Sequence, residues 1–239
     1  MTQSRLTSVS FVTSKAQMPQ YDLTHHKVGI MHIGVGAFHR SHQAVYTDDA
    51  LAKTGGDWRI LGVSMRSKKS ADALNPQNGL YCVVERSAQG DHARVIGSIE
   101  KVLTLFEERE EIFSVLISPK IKIVSLTVTE KAYCLDRKNG GVNMNDPIIV
   151  QDLRTPKQPE SVIGLLCEGL RLRKEKGIEP YTVLSCDNLS SNGQQVKLAV
   201  VSYSKNISLD LSKWIDKNVM FPCTMVDRIT PASNAGTYE

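Results

Sequence analysis

Four short apolar runs rich in β-branched residues recur along the chain: Val28 to Ile33 (VGIMHI), Arg59 to Met65 (RILGVSM), Lys120 to Thr129 (KIKIVSLTVT) and Tyr181 to Ser185 (YTVLS). Runs this short with little polar alternation predict strands buried on both faces. Helical patterns lie between and after them. Ala37 to Lys53 ends at Gly55-Gly56, and Glu107 to Leu116 carries acids in its first turn, as the helix dipole favours. Ser161 to Lys176 has a serine cap and a closing Gly177. A further helix begins at Asn192-Gly193, with Val196, Leu198, Ala199 and Val200 as its apolar side, and Leu211 to Val219 adds helical turns around Trp214. After the turn signal Asn75-Pro76-Gln77-Asn78-Gly79, Leu80–Arg86 and Ala93–Ile99 read as a hairpin joined by Ala88-Gln89-Gly90-Asp91, inserted into the sheet or added to its edge. Residues 1–26 read as an irregular leader, and Lys138 to Pro159 as a long surface loop.

Strands alternating with helices predict an α/β fold with a mainly parallel sheet and helices on both faces. Such sheets bind ligands outside the carboxyl ends of their strands. Four segments then converge on one rim: Gly34-Val35-Gly36, Arg66 to Lys69, Thr129-Glu130-Lys131 and Asp187-Asn188. The first is a strand–glycine turn–helix passage, the arrangement that presents backbone N–H groups to a phosphate. It follows G-x-G-x-x-G with His39 in the third glycine's place, so an ordinary tight turn is the competing reading. Where a dinucleotide-binding fold reads the adenosine ribose, this chain has Met65-Arg66-Ser67-Lys68-Lys69, with no acid before Asp72. An arginine there accommodates the extra phosphate of NADP; a solvated basic loop is the plainer alternative.

Composition narrows the classes. The net charge of +4 over 239 residues is mild and the basic residues are interspersed with acids, so neither nucleic acid nor a membrane surface is implied as a partner. No apolar run approaches a bilayer span, and the N-terminus lacks a secretory apolar core. The five cysteines (82, 134, 167, 186 and 223) are never in C-x-x-C spacing. They read as small buried hydrophobes in a reducing, cytoplasmic setting. No metal site is expected: His25-His26 diverge in extended chain, and His39 and His42 lack a third ligand and read as solvent-facing or phosphate-neighbouring.

The stretches HIGVGAFHRSHQAVY (32–46), DWRILGVSMRS (57–67), SLTVTEKAYC (125–134), SCDNLSSNG (185–193) and MVDRITPA (225–232), in that order, resemble the polyol-specific long-chain dehydrogenases, the family of mannitol 2-dehydrogenase and fructuronate reductase. The resemblance implies a Rossmann-type NAD(P)-binding domain over residues 27–232 and metal-independent hydride transfer at C2 of a sugar alcohol or aldonate. It implies cofactor contacts from Gly34, Val35, Gly36, Phe38, Arg66 and Thr129, with NAD, or alternatively NADP, as cofactor. Asn188 would hold the substrate oxygen that becomes the carbonyl. Glu130 would lie near the nicotinamide side, and Asp227 would border the polar end of the substrate. The small-molecule partner would be a polyol, ketose or aldonate. In the family the general base is a lysine in a second, helical domain following V-D-R-I-T-P, so residues 233–239 would begin that domain. The alternative is a non-catalytic nucleotide-binding module without the base-bearing domain.

Overall fold

A computed structural model describes residues 6, 16–136, 138, 140–226 and 230. Its centre is a five-stranded sheet made of β2 (Val28–Ile33), β3 (Arg59–Ser64), β6 (Ile99–Thr104), β7 (Ile123–Leu126) and β8 (Thr182–Ser185). The order across the sheet is β6-β3-β2-β7-β8 and every pairing is parallel. By order of appearance within this sheet the strands run 3-2-1-4-5, the doubly wound arrangement of a Rossmann-type domain. The chain reverses its direction of winding between β2 and β7, which makes that pair the topological switch point.

Alternate strand residues feed two cores, because successive side chains point to opposite faces. Met31, Ile33, Leu61, Val63, Val124 and Leu126 pack under the face covered by α4 (Arg109–Leu116), α6 (Val162–Glu175), α7 (Asn192–Lys205) and α8 (Leu209–Asn218). Ile60, Val102 and Ile30 face the opposite way, toward α2 (Gln43–Thr54) and α3 (Lys69–Leu74). α6 follows the predicted limits closely: Ser161 accepts from Gly164 N at 2.9 Å, and Gly177 beyond its end has φ +65°.

Several expectations are corrected. The helix expected over 37–53 is two helices, α1 (Ala37–Ser41) and α2, broken at His42. The hairpin strands are β4 (Tyr81–Ser87) and β5 (Gly90–Ile96); they pair antiparallel and join β1 (Ala16–Gln17) in a separate three-stranded sheet. The 1–26 leader therefore contributes a strand, parallel to β5. Ile99, expected to end the hairpin, instead opens β6, the edge strand of the main sheet. β6, over Ile99–Thr104, is a strand that the sequence pattern does not predict. The 138–159 loop contains α5 (Pro147–Arg154), where Asp146 caps Ile148 N at 3.1 Å and proline occupies the first turn. Asp-Pro here starts a helix rather than a turn. β7 is shorter than the 120–129 run, since Thr127 onward leaves the ladder to form the rim. Leu198 is exposed rather than packed. Cys134, Cys167 and Cys186 are buried as expected, whereas Cys82 and Cys223 are exposed; all five thiols are free.

Candidate functional site

The site grows from the carboxyl end of β2. Gly34 turns the chain at φ +101°, and a Cβ there would meet Thr127 O at 2.1 Å. Only glycine fits so close to the neighbouring strand. Gly34 N donates to Val63 O at 2.9 Å, and its carbonyl accepts from Thr127 Oγ1 at 2.7 Å, so the turn is tied to both flanking strands. Gly36 is different: its φ is −86°, and the only neighbour of a Cβ there would be Gly34 O at 3.9 Å. Its open flank is what a closely approaching phosphate requires. Val35 points into the core, with its carbonyl accepting from Ser70 Oγ at 2.8 Å, so only its backbone faces the rim. Phe38 is half-buried, its ring stacked on His42 at 4.9 Å.

His39 is neither solvent-facing nor at the rim. It is fully buried, stacked on His32 with centroids 3.4 Å apart and planes 10° apart. His32, unnoticed in the sequence, lies at the switch point. Its Nε2 is 2.8 Å from Thr127 Oγ1 and its Nδ1 is 2.8 Å from Ser125 Oγ. Because Thr127 Oγ1 spends its hydrogen on Gly34 O, it accepts from His32 Nε2–H; Nδ1 then accepts from Ser125. That tautomer is neutral, and burial pushes the His32 pKa down to about 3. Burial, reinforced by neighbouring His32, holds His39 well below the ordinary histidine range.

The carboxyl ends of β7 and β8 are joined by Asp187. Its carboxylate accepts from Val128 N at 3.0 Å, Thr129 N at 3.2 Å and Tyr133 Oη at 2.6 Å. Burial first, then Asp187 beside it, push the Tyr133 phenol well above its usual range. Thr129 has φ +80° and ψ 150° and leads into the 3₁₀ turn Glu130–Tyr133. Glu130 and Asn188 are exposed and line one cleft of about 560 Å³, together with Asp136, Ser190, Gln195 and Leu198. Behind it, Asn192 is buried: its amide donates to Ser185 O, Asp187 O and Thr224 O, and its carbonyl accepts from Gly193 N and Thr224 N. Thr230 then reaches Ser41 of α1 at 2.7 Å. Asp227 lies outside the described residues.

Arg66 stands just past β3, exposed and without a hydrogen bond or ion pair among the described residues. Its neighbour Lys68 is paired with Glu107, so the basic loop is not uniformly free. The structure therefore joins 34–36, 127–130 and 187–188 through hydrogen bonds; Arg66 shares none of them, and its charge acts on Cys134 at the end of the 3₁₀ turn. His32, Asp187 and Asn192 all lie in the stretches that carry the family resemblance, but none was singled out for a role: His32 sits inside an apolar strand, Asp187 just beyond one, and Asn192 at the first position of α7. Among the described residues no group of three or more His, Cys, Asp or Glu could hold a metal ion, and no helix is long and apolar enough to cross a membrane.

A parallel 3-2-1-4-5 sheet with a glycine turn at its switch point is the arrangement of a Rossmann-type α/β domain. Residues 28–239 match the family model of the mannitol dehydrogenase Rossmann domain. The chain belongs to the mannitol dehydrogenase family. It is 42% identical over 225 residues to D-mannonate oxidoreductase of Escherichia coli K12, covering 92% of this chain and 46% of that protein. The solved D-sorbitol dehydrogenase in substrate-free form superimposes with a TM-score of 0.93 at 36% identity, covering 98% of this chain and 49% of that one. Pseudomonas fluorescens mannitol 2-dehydrogenase, solved with NAD and D-mannitol, gives 0.91 at 39% identity, with coverages of 96% and 47%. The chain thus spans about half the length of the relatives it matches.

Proposed function

We propose that this chain is the cofactor-binding half of an NAD(P)-dependent oxidoreductase that moves a hydride between the nicotinamide and C2 of a sugar alcohol or aldonate. The reading is carried by one observation: the glycine turn lies at the switch point, and the cleft holding Glu130 and Asn188 opens on the same rim. Gly34, Val35 and Gly36 would hold the pyrophosphate of the cofactor, with the open flank of Gly36 admitting it and Phe38 and Thr129 flanking. When bound, the nicotinamide dinucleotide supplies the hydride acceptor. Asn188 donates its amide to the oxygen that becomes the carbonyl, an interaction of about 2.7–4 kcal/mol when removed from comparable sites. Glu130 faces the nicotinamide side, and Asp227 borders the polar end of the substrate. An amide does not take up the alcohol proton, so the base, a lysine in the family's pattern, belongs to the half of the relatives that this chain does not match.

Unpartnered Arg66 at the ribose end supports acceptance of NADP as well as NAD. Five free thiols fit a reducing, cytoplasmic setting. Calorimetric titration of the 239-residue chain with NADH and with NADPH tests the reading. Binding of at least one is expected, and absence of heat with both overturns it. The chain by itself is expected to show no mannitol- or mannonate-dependent reduction; turnover would place the base within it.

A further inference from the structure

We propose that Asp187 is a positioning residue: its carboxylate clamps the link between β7 and the 3₁₀ turn, holding Thr129 in a glycine-like backbone conformation so that Glu130 and Asn188 face each other across the cleft. The inference rests on the functional reading above and adds to it the device that sets the geometry of the nicotinamide half.

Three observations carry it. First, Thr129, at φ +80° and ψ 150°, occupies a backbone region that is almost exclusive to glycine. A β-branched residue stays there only if its surroundings over-determine it. Second, the over-determining group is visible. The two Asp187 oxygens take the consecutive amides of Val128 and Thr129, and the Tyr133 hydroxyl closes the far end of the same turn. Tyr133 is itself fully buried and also within 2.9 Å of Ser185 Oγ on β8, so the clamp is braced on the sheet. Third, both functional candidates are direct chain neighbours of clamped atoms: Glu130 follows Thr129, and Asn188 follows Asp187. Releasing the carboxylate frees both sides of the cleft together. It also frees Val128, next to Thr127, whose hydroxyl holds the Gly34 carbonyl.

The test is a double-mutant cycle on the full 239-residue chain. Asp187→Asn turns one acceptor oxygen into an N–H that faces backbone donors. The relaxed link is expected to weaken NADH binding about tenfold or more. Because Thr129 also flanks the cofactor, Thr129→Gly by itself is the second reference: glycine adopts this φ without penalty and needs no clamp, so Asp187→Asn is expected to cost little affinity in the Thr129→Gly background. A residue that merely stabilises the fold would cost the same in both backgrounds. The result that overturns the proposal is unchanged affinity in Asp187→Asn, or an equal loss with and without Thr129→Gly. If Asp187→Asn does not fold, Tyr133→Phe removes one of the three donors and keeps the ring. It should raise amide exchange at Val128 and Thr129 with little change elsewhere, and unaltered exchange there overturns the clamp. If the unmodified chain binds neither NADH nor NADPH, the functional reading fails. The amide exchange of Val128 and Thr129 in Asp187→Asn then decides the clamp on its own.

Discussion

The two glycines of the turn are predicted to fail in opposite ways when each receives a single methyl group. In Gly34→Ala the methyl would lie 2.1 Å from Thr127 O, and φ +101° is a poor conformation for any L side chain. Strain of about 1–3 kcal/mol from the backbone adds to about 1–3 kcal/mol from overpacking. Relief requires β2 and β7 to part where His32, Thr127 and Gly34 are bonded together. A loss of roughly 2–6 kcal/mol corresponds to a melting temperature lower by about 5–20 °C in a chain of this size. In Gly36→Ala the backbone, at φ −86°, suits alanine and the methyl meets only Gly34 O at 3.9 Å. Stability should hold or rise by about 0.4–1 kcal/mol, because the unfolded chain loses freedom. The same methyl fills the space a pyrophosphate needs, so NADH affinity should fall at least tenfold, about 1.4 kcal/mol. Thermal melting by circular dichroism and titration by nicotinamide fluorescence measure the two effects separately. Gly36→Ala binding as tightly as the parent, or Gly34→Ala melting with the parent, would refute the reasoning.

Arg66→Asp should lower NADPH affinity about tenfold or more relative to NADH, because a carboxylate repels the 2′-phosphate and accepts from the ribose hydroxyls; an unchanged NADPH-to-NADH ratio in paired titrations counts against the assignment. Arg173 is buried and donates to the carbonyls of Leu116, Ser118, Glu179 and Ile121. Arg173→Met strands these acceptors at about 1–3 kcal/mol for each that water does not reach, so the urea midpoint should drop sharply, and an unmoved midpoint contradicts this. His32 and His39 titrate below their unfolded value near 6.5. The unfolded chain therefore binds protons first as acid is added, and the stability from keeping these rings neutral is whole above about pH 6.5 and falls as the pH drops below it, for His32 down to about 3. His39→Phe, which keeps a stacking ring without the nitrogens, should flatten the decline between pH 6.5 and 4 in urea melts; parallel slopes for variant and parent exclude His39 as a source.

Much of the architecture was legible because local signals were strong and consistent. Four of the five main strands, the serine-capped α6 and the glycine turn follow from apolar runs and punctuation over a few residues. Errors fell where two signals abutted. The end of the hairpin and β6 lie too close together for pattern alone to divide, and Asp146-Pro147, in a stretch rich in turn residues, starts a helix. His39 was misread because its ring stacks on His32, which no helical periodicity reveals. Glu130 and Asn188 were singled out by their position at strand ends and by family pattern, and the structure shows both lining one cleft. Asp187 was noticed only as the neighbour of Asn188, since the amides it holds are remote in the chain.

Taken alone, the order of amino acids determined an alternating α/β chain with a glycine turn after its first main strand, because β-branched runs and glycines act within a few residues of themselves; its likeness to the mannitol dehydrogenases came from five ordered stretches that resemble that family. The tertiary structure alone decided that His32 locks that turn across 95 positions to Thr127 and that Asp187 clamps Val128 across 59. Those pairings depend on which strand lies beside which, and parallel strands become neighbours only after the helices between them have packed onto the sheet.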